Sequence, residues 1–243
     1  MLASATSCAV RLSWNSTISP TRHKASRNAH ASLSDSRPLA SGRVSLKAAW
    51  AWLLALCLIG LIVLLQLRST AQIVALASLA PVAAYPFMKR ITWWPQAWLG
   101  IVFSWACLVG WPAVTGAMGA AGLWLYAGSL FWVIGYDTIY AVQDIEDDAL
   151  AGVKSSARAL GGHVRGGVAL CYALALTLWG TAFWAVRPQG LALAALLPVA
   201  CHFAWQVAAF RPGDGTYALA KFRSNRFAGL LMFLACVVVG SAA

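Results

Sequence analysis

Seven uninterrupted apolar runs, at residues 48–67, 71–87, 97–115, 117–139, 166–186, 191–210 and 227–243, dominate this chain and restrict its fold. Each is near the roughly 17–25 residues a helix needs to cross a bilayer. Lipid supplies no partner for a backbone N–H or C=O, so only helices and closed barrels can span it. These runs are continuous rather than alternating, which selects helices. With 60% hydrophobic and 10% charged residues, the composition excludes an ordinary soluble domain. The expectation is an all-α integral membrane protein with about seven transmembrane helices.

The basic residues predict an orientation, because Lys and Arg are retained on the cytoplasmic side or its mitochondrial equivalent. Arg37, Arg43, Lys47, Lys89, Arg90, Lys154, Arg158, Arg165, Arg211, Lys221, Arg223 and Arg226 fall on one face, against Arg68 and Arg187 on the other. The net charge of +11 therefore reads as topology and anion binding. No nucleic-acid module is visible. Trp50, Trp52, Trp93, Trp94 and Trp98 stand near the ends of spans and read as interface anchors that keep their indole N–H wet. Cys57, Cys107, Cys171, Cys201 and Cys236 lie inside spans without metal spacing and read as small packing residues, and His202 as a helix-to-helix hydrogen bonder. Gly116, Gly119 and Gly122 repeat at threes where no strand precedes them, which points to close helix packing and away from nucleotide binding.

Residues 1–36 are expected to be a leader, disordered or mis-assigned. Up to residue 34 it has basic and serine residues and no acid, the composition of a mitochondrial presequence. Two long loops are expected, at 140–165 and 211–226. The second opens on Arg211-Pro212-Gly213-Asp214-Gly215, a turn by its residue chemistry.

Five of the seven acidic residues, Asp137, Asp144, Glu146, Asp147 and Asp148, fall within twelve positions after the fourth run. If the helix continues, Asp137, Asp144 and Asp148 point within roughly 40° of one another. Carboxylates crowded at the end of a buried helix repel, and they persist where a cation sits among them. Asp144 and Asp148 form a D-x-x-x-D pair, suited to magnesium, which binds protein through one or two carboxylates and fills its other positions with water and phosphate oxygens. Lys89, Arg90 and Lys154 share that face and suit a phosphorylated ligand. From these residues alone, a solvated acidic loop among topology-setting cations stays equally open.

The stretch Tyr136-Asp137-Thr138-Ile139-Tyr140-Ala141-Val142-Gln143-Asp144-Ile145-Glu146-Asp147-Asp148, followed by Gly152-Val153-Lys154-Ser155-Ser156-Ala157, resembles the second aspartate-rich motif and adjoining G-x-K-S-T-A signature of the UbiA superfamily, nearest its 4-hydroxybenzoate polyprenyltransferases. Tyr85 to Thr92 with Trp94-Pro95-Gln96, and Lys221-Phe222-Arg223-Ser224-Asn225-Arg226 before Gly229, are similar to two further loops of that family. The resemblance implies a helical membrane fold around a central cavity and a magnesium-dependent electrophilic aromatic prenylation. A polyprenyl group would pass from its diphosphate to the ring of 4-hydroxybenzoate in ubiquinone biosynthesis. It implies magnesium on Asp144 and Asp148, with Asp137 as secondary ligand or acceptor-polarising group and Arg90 counted with the catalytic set. Lys89, Arg90, Tyr140, Lys154, Ser155 and Asn225 would bind substrate. It also implies a bacterial or mitochondrial inner membrane, loops facing cytosol or matrix, and association with other quinone-biosynthesis proteins.

The family carries an earlier N-D-x-x-D-x-x-x-D motif and nine helices, whereas the only acid of this leader is Asp35. Residues 37–243 are therefore expected to be a prenyltransferase domain lacking its first two helices, a truncated version of the nine-helix fold, with little activity alone. A catalytically inactive fragment or lipid-binding assembly subunit is the alternative. A transporter built on Asp137 is disfavoured because no other span carries an acidic partner.

Overall fold

The computed structural model describes residues 41–150 and 152–241, with the side chains of Lys89, Asp147 and Ser241 outside that description. The leader and Arg37 also lie outside it. All regular elements among the described residues are helical. The chain divides at Leu67 and Arg68 into two compact units.

In the first unit, Ser45 accepts the N–H of Ala48 at 3.2 Å and starts helix α1, Leu46–Leu65. No residue of α1 is buried, and Trp50 and Trp52 are each 64% exposed. A helix apolar all round is stable where lipid is the solvent.

The second unit begins with α2 (Ser69–Ala77) and α3 (Leu79–Ile91), one apolar run broken at Ser78. Pro81 explains the break: it has no N–H for the carbonyl four residues earlier, and its ring crowds that carbonyl. The Ser78 N–H turns back to Ala75 O at 3.2 Å, and the carbonyl of Val74 takes the Trp105 indole N–H instead, at 2.9 Å. The Trp98 indole donates to Pro81 O at 2.8 Å. Trp98 therefore joins two helices, and its expected role as a wet interface anchor is corrected. Helix α4 (Pro95–Thr115) opens on Pro95 and ends at Gly116, whose φ of 86° suits the left-handed terminator that only glycine adopts cheaply.

Helix α5 (Ala120–Ala141) packs between α4 and the long α8 (Val164–Val186). Its glycines make the approach close. A Cβ on Gly119 or Gly122 would stand 2.5 or 2.7 Å from Trp111, and one on Gly128 would stand 2.5 Å from Trp179 and 3.0 Å from the carbonyl of Ala175. Gly128→Val is expected to destabilise the fold by about 1–3 kcal/mol, read as earlier thermal unfolding in detergent.

After α8 come α9 (Gly190–Ala194) and α10 (Leu197–Ala209), split ahead of Pro198 for the reason that splits α2 from α3. The last helix, α11, runs Gly215–Ser241. Between α8, α10 and α5 lies an aromatic core: Tyr172 stacks on Phe203 at 4.1 Å, and Trp179 meets Phe203 at 6.1 Å and Trp132 at 5.7 Å.

Six helical segments, Leu46–Leu65, Ser69–Met88, Pro95–Thr115, Ser156–Val186, Gly190–Ala209 and Gly215–Gly240, are long and apolar enough to cross a membrane. The seventh expected span is α5, long enough at 22 residues but less apolar. Its glycines, Trp, Tyr and Asp137 lower its hydropathy, and a helix packed among other helices meets little lipid. Lys154, Arg158, Arg165 and Arg211 gather at the end of the unit where α3 finishes and α4 starts, whereas Arg68 lies beside Gly116 at the other end. This matches their grouping by sequence.

Candidate functional site

The acidic segment sits where α5 gives out. Its last residues close with tight three-residue turns: Val142 N–H to Ile139 O at 3.3 Å, Gln143 to Tyr140 at 3.0 Å and Asp144 to Ala141 at 3.3 Å. A short helix, α6 (Ile145–Leu150), comes next. The expected continuous helix from Asp137 to Asp148 is corrected. Each three-residue turn adds about 120° per residue rather than 100° and re-aims the side chains beyond it. Asp144 and Asp148 remain one α-turn apart, joined by the Asp148 N–H to Asp144 O bond of 2.7 Å. Both are half-buried, and Glu146 is exposed.

The Tyr140 phenol lies within electrostatic reach of three carboxylates. Asp144, Asp137 and Asp148 all act on it electrostatically, and Asp137 also acts on Tyr85 of α3 and Tyr136 of α5. Among the described residues no three metal-ligating side chains converge. What the segment offers is a carboxylate pair, which fits a magnesium ion completed by water and phosphate rather than a cage built from protein.

The chain next crosses to α3. Gly152, with φ of 67°, turns it so that the Val153 N–H reaches Asp148 O at 2.9 Å. The Arg158 guanidinium donates to the carbonyls of Val153 and Asp148, the latter at 3.3 Å, and lies 5.3 Å from the centroid of Trp93. Lys154 donates to Ile91 O at 3.1 Å, at the end of α3, and faces the same ring at 5.9 Å. A cation there also suits the negative end of the α3 dipole.

Ser155 is buried and caps α7 (Ser156–Leu160), its Oγ accepting the Arg158 N–H at 3.4 Å. Ser156 donates its N–H to Gln96 Oε1 at 3.0 Å and pairs its hydroxyl with Thr138 at 2.7 Å, binding the strap to α4 and α5. Gln96→Leu orphans that buried N–H and is expected to cost about 1–3 kcal/mol, measured by unfolding in detergent. Arg90 is exposed on the last turn of α3, and the Lys89 side chain lies outside the described residues.

The late segment corrects a second expectation. Helix α11 begins at Gly215, so residues 215–226 are helical rather than a loop. Asp214 starts it, accepting the Tyr217 N–H at 2.9 Å, and leaves only a short turn before it. Helicity turns Phe222 toward α5, 5.7 Å from Tyr136 and 4.8 Å from Tyr140. Asn225 accepts the Trp132 indole N–H at 3.0 Å and donates to Phe222 O at 3.2 Å, so its amide joins α11 to α5. A groove of about 280 Å³ runs between residues 142–146 and 212–215, and the acid that lines it is Glu146 rather than Asp144 or Asp148.

Sequence reasoning placed Gln96 in a family-like loop without assigning it a contact and gave Gln206 no role. Gln206 is fully buried, accepting the Tyr172 O–H at 2.6 Å and donating to Ser224 Oγ at 2.7 Å and Lys221 O at 3.2 Å. His202 meets Gln206 of its own helix at 3.1 Å and Ser224 of α11 at 3.5 Å, and the second contact is the helix-to-helix bond expected of it. The available signal was an amide standing in or at the edge of an apolar run, where lipid forces it toward a protein partner.

The family model described as the UbiA prenyltransferase family matches residues 28–239. The chain belongs to this family. A 4-hydroxybenzoate polyprenyltransferase, mitochondrial, of Drosophila pseudoobscura pseudoobscura is 40% identical to this UbiA chain over 203 residues, 83% of the chain and 51% of the relative. A 4-hydroxybenzoate octaprenyltransferase of Pseudomonas fluorescens is 36% identical over 208 residues, 86% of the chain and 70% of the relative. The apo structure of a UbiA homolog from Aeropyrum pernix K1 superposes with a TM-score of 0.65 at 26% identity, over 84% of this chain and 76% of that one. The chain spans about half the length of the mitochondrial relatives it matches. Apolar helices and this kinship make it an integral membrane protein.

Proposed function

We propose that this chain transfers a polyprenyl group from polyprenyl diphosphate to the ring of 4-hydroxybenzoate, within ubiquinone biosynthesis. The observation that carries this reading is the half-buried Asp144 and Asp148 pair, one turn apart at the end of an aromatic-lined buried helix in a UbiA chain. Asp144 and Asp148 would hold magnesium. Bound there, the metal would neutralise charge building on the leaving diphosphate.

The chain's own residues do the rest. Arg158 and Lys154 tie the strap behind Asp148 to Trp93 and to the end of α3, fixing the carboxylates in place. Tyr136, Tyr140 and Phe222 form an aromatic wall beside them, whose faces exclude water and favour a cationic allyl group. Asp137 would serve as a secondary metal ligand or polarise the acceptor, within electrostatic reach of Tyr85 and Tyr136. Lys89 and Arg90 follow Tyr85 on α3 and supply positive charge for phosphate or the acceptor carboxylate. The donor's carbon–oxygen bond breaks, the ring carbon beside the acceptor hydroxyl forms the new carbon–carbon bond, and a ring proton leaves. The inner membrane of a bacterium or mitochondrion, loops toward cytosol or matrix, and other quinone-biosynthesis proteins as neighbours accord with this reading.

A lipid-binding subunit without transfer chemistry is the second reading, favoured by the lack of a third metal-ligating side chain among the described residues. Radiolabelled transfer from a polyprenyl diphosphate to 4-hydroxybenzoate separates the two. The first predicts product that Asp144→Asn lowers at least about 100-fold. Diphosphate binding without product would leave the second.

A further inference from the structure

At the seam between α10 and α11, positive charge collects, and no carboxylate pairs with Lys221 or Arg211 among the described residues. Lys221 is only 4% exposed, and among the described residues its ammonium meets no hydrogen-bond acceptor. It lies 3.3 Å from the centroid of Trp205 and 4.9 Å from that of Tyr217. The Arg211 guanidinium lies 5.2 Å from the same Tyr217 ring, so two cations share one phenol. The His202 ring lies 5.3 Å from that of Trp205, within electrostatic reach of Lys221. The neighbouring acid, Asp214, is engaged as the cap of α11.

Ring faces attract an ammonium, but they do not accept its N–H bonds or cancel repulsion from a second cation. The fully buried side-chain atoms without a partner among the described residues are Ser104 Oγ and Arg187 Nη1, so the Lys221 ammonium, though largely covered, keeps an opening through which an anion can join it. Trp205 is 49% exposed, so the cluster opens at the protein surface. It opens in the first two turns of a helix apolar enough to cross a membrane. Trp and Tyr rings favour that depth, and the abundant anion there is lipid phosphate. The floor is rigid, because Gln206 holds both the carbonyl of Lys221 and the hydroxyl of Ser224.

We propose that Lys221, Arg211, Trp205 and Tyr217 form a binding site for the headgroup phosphate of an anionic phospholipid, separate from the Asp144 and Asp148 pair. Lys221 donates to a phosphate oxygen, Arg211 adds the second charge, and the exposed Trp205 ring lies along the upper acyl chain.

Native mass spectrometry of the full chain in detergent tests this, with dioleoyl phosphatidylglycerol, dioleoyl phosphatidylcholine and inorganic phosphate as probes. Phosphatidylglycerol should be retained in preference to phosphatidylcholine. Lys221→Met and Arg211→Gln should each weaken its retention about fivefold, Lys221→Arg should keep it, and phosphatidylcholine should be unaffected. Arg211 is exposed on a turn, so its variant reports even where Lys221→Met does not fold. Equal retention of the two lipids by wild type, or wild-type phosphatidylglycerol retention in the Arg211 variant, overturns the proposal. So does inorganic phosphate binding as tightly as the lipid.

Discussion

A chain carrying both Asp144→Asn and Asp148→Asn will bind geranyl diphosphate at least about 100-fold more weakly than wild type in magnesium buffer, and the two proteins will bind it alike once the metal is chelated. The size comes from the donor set. Removing a group that merely supports a metal ligand costs 10–100-fold in metal affinity, so removing the two ligands must cost at least the upper figure. Asparagine keeps shape and hydrogen bonding while removing charge. The Asp148 N–H to Asp144 O bond is made by backbone and survives the substitution. Thermal unfolding should therefore shift little, which separates loss of a ligand from loss of the fold. Comparable binding by mutant and wild type in magnesium would remove these two residues from the site.

Gln206→Leu should destabilise the protein by about 2–4 kcal/mol, read from unfolding in mixed micelles. The amide lies fully buried and serves three partners on two helices: the Tyr172 hydroxyl on α8, and Ser224 and the Lys221 carbonyl on α11. Leucine fits the space but leaves the Tyr172 O–H without its acceptor in a water-free interior. Each orphaned group costs about 1–3 kcal/mol in soluble proteins and somewhat less between membrane helices. Geranyl diphosphate binding should weaken as well, because the start of α11 that Gln206 anchors carries Phe222 against Tyr140. Unchanged unfolding would mean that these bonds carry no net stability.

Where lipid dictates the pattern, the chain is readable at a glance. The expected run 166–186 became Val164–Val186, and 97–115 became Pro95–Thr115, because a spanning helix must be continuously apolar. Breaks within runs were harder to place. Pro81 and Pro198 stand in plain view, but where a proline breaks a membrane helix depends on how the backbone groups around it find partners, as when the Ser78 N–H turns to Ala75 and Trp105 takes the Val74 carbonyl left behind. The late segment misled because Lys221, Arg223 and Arg226 resemble a solvated loop, while the Asp214 cap and packing of Phe222 make it helix.

The carboxylate pair was legible, since its i,i+4 spacing is local. The turn that separates it from Asp137 was not, because nothing in the Val142 to Asp144 side chains announces the tighter backbone hydrogen bonds. Gln96 and Gln206 escaped for a different reason. Their partners Ser156 and Tyr172 lie far along the chain, and such pairings appear only when helices are assembled.

Isothermal titration calorimetry of the detergent-solubilised full chain with geranyl diphosphate, in magnesium and then in excess chelator, tests the central claim most directly. Binding heat that saturates in magnesium and vanishes with the metal is the predicted result. Equal heat in both buffers would contradict a site in which Asp144 and Asp148 hold a diphosphate through a divalent ion.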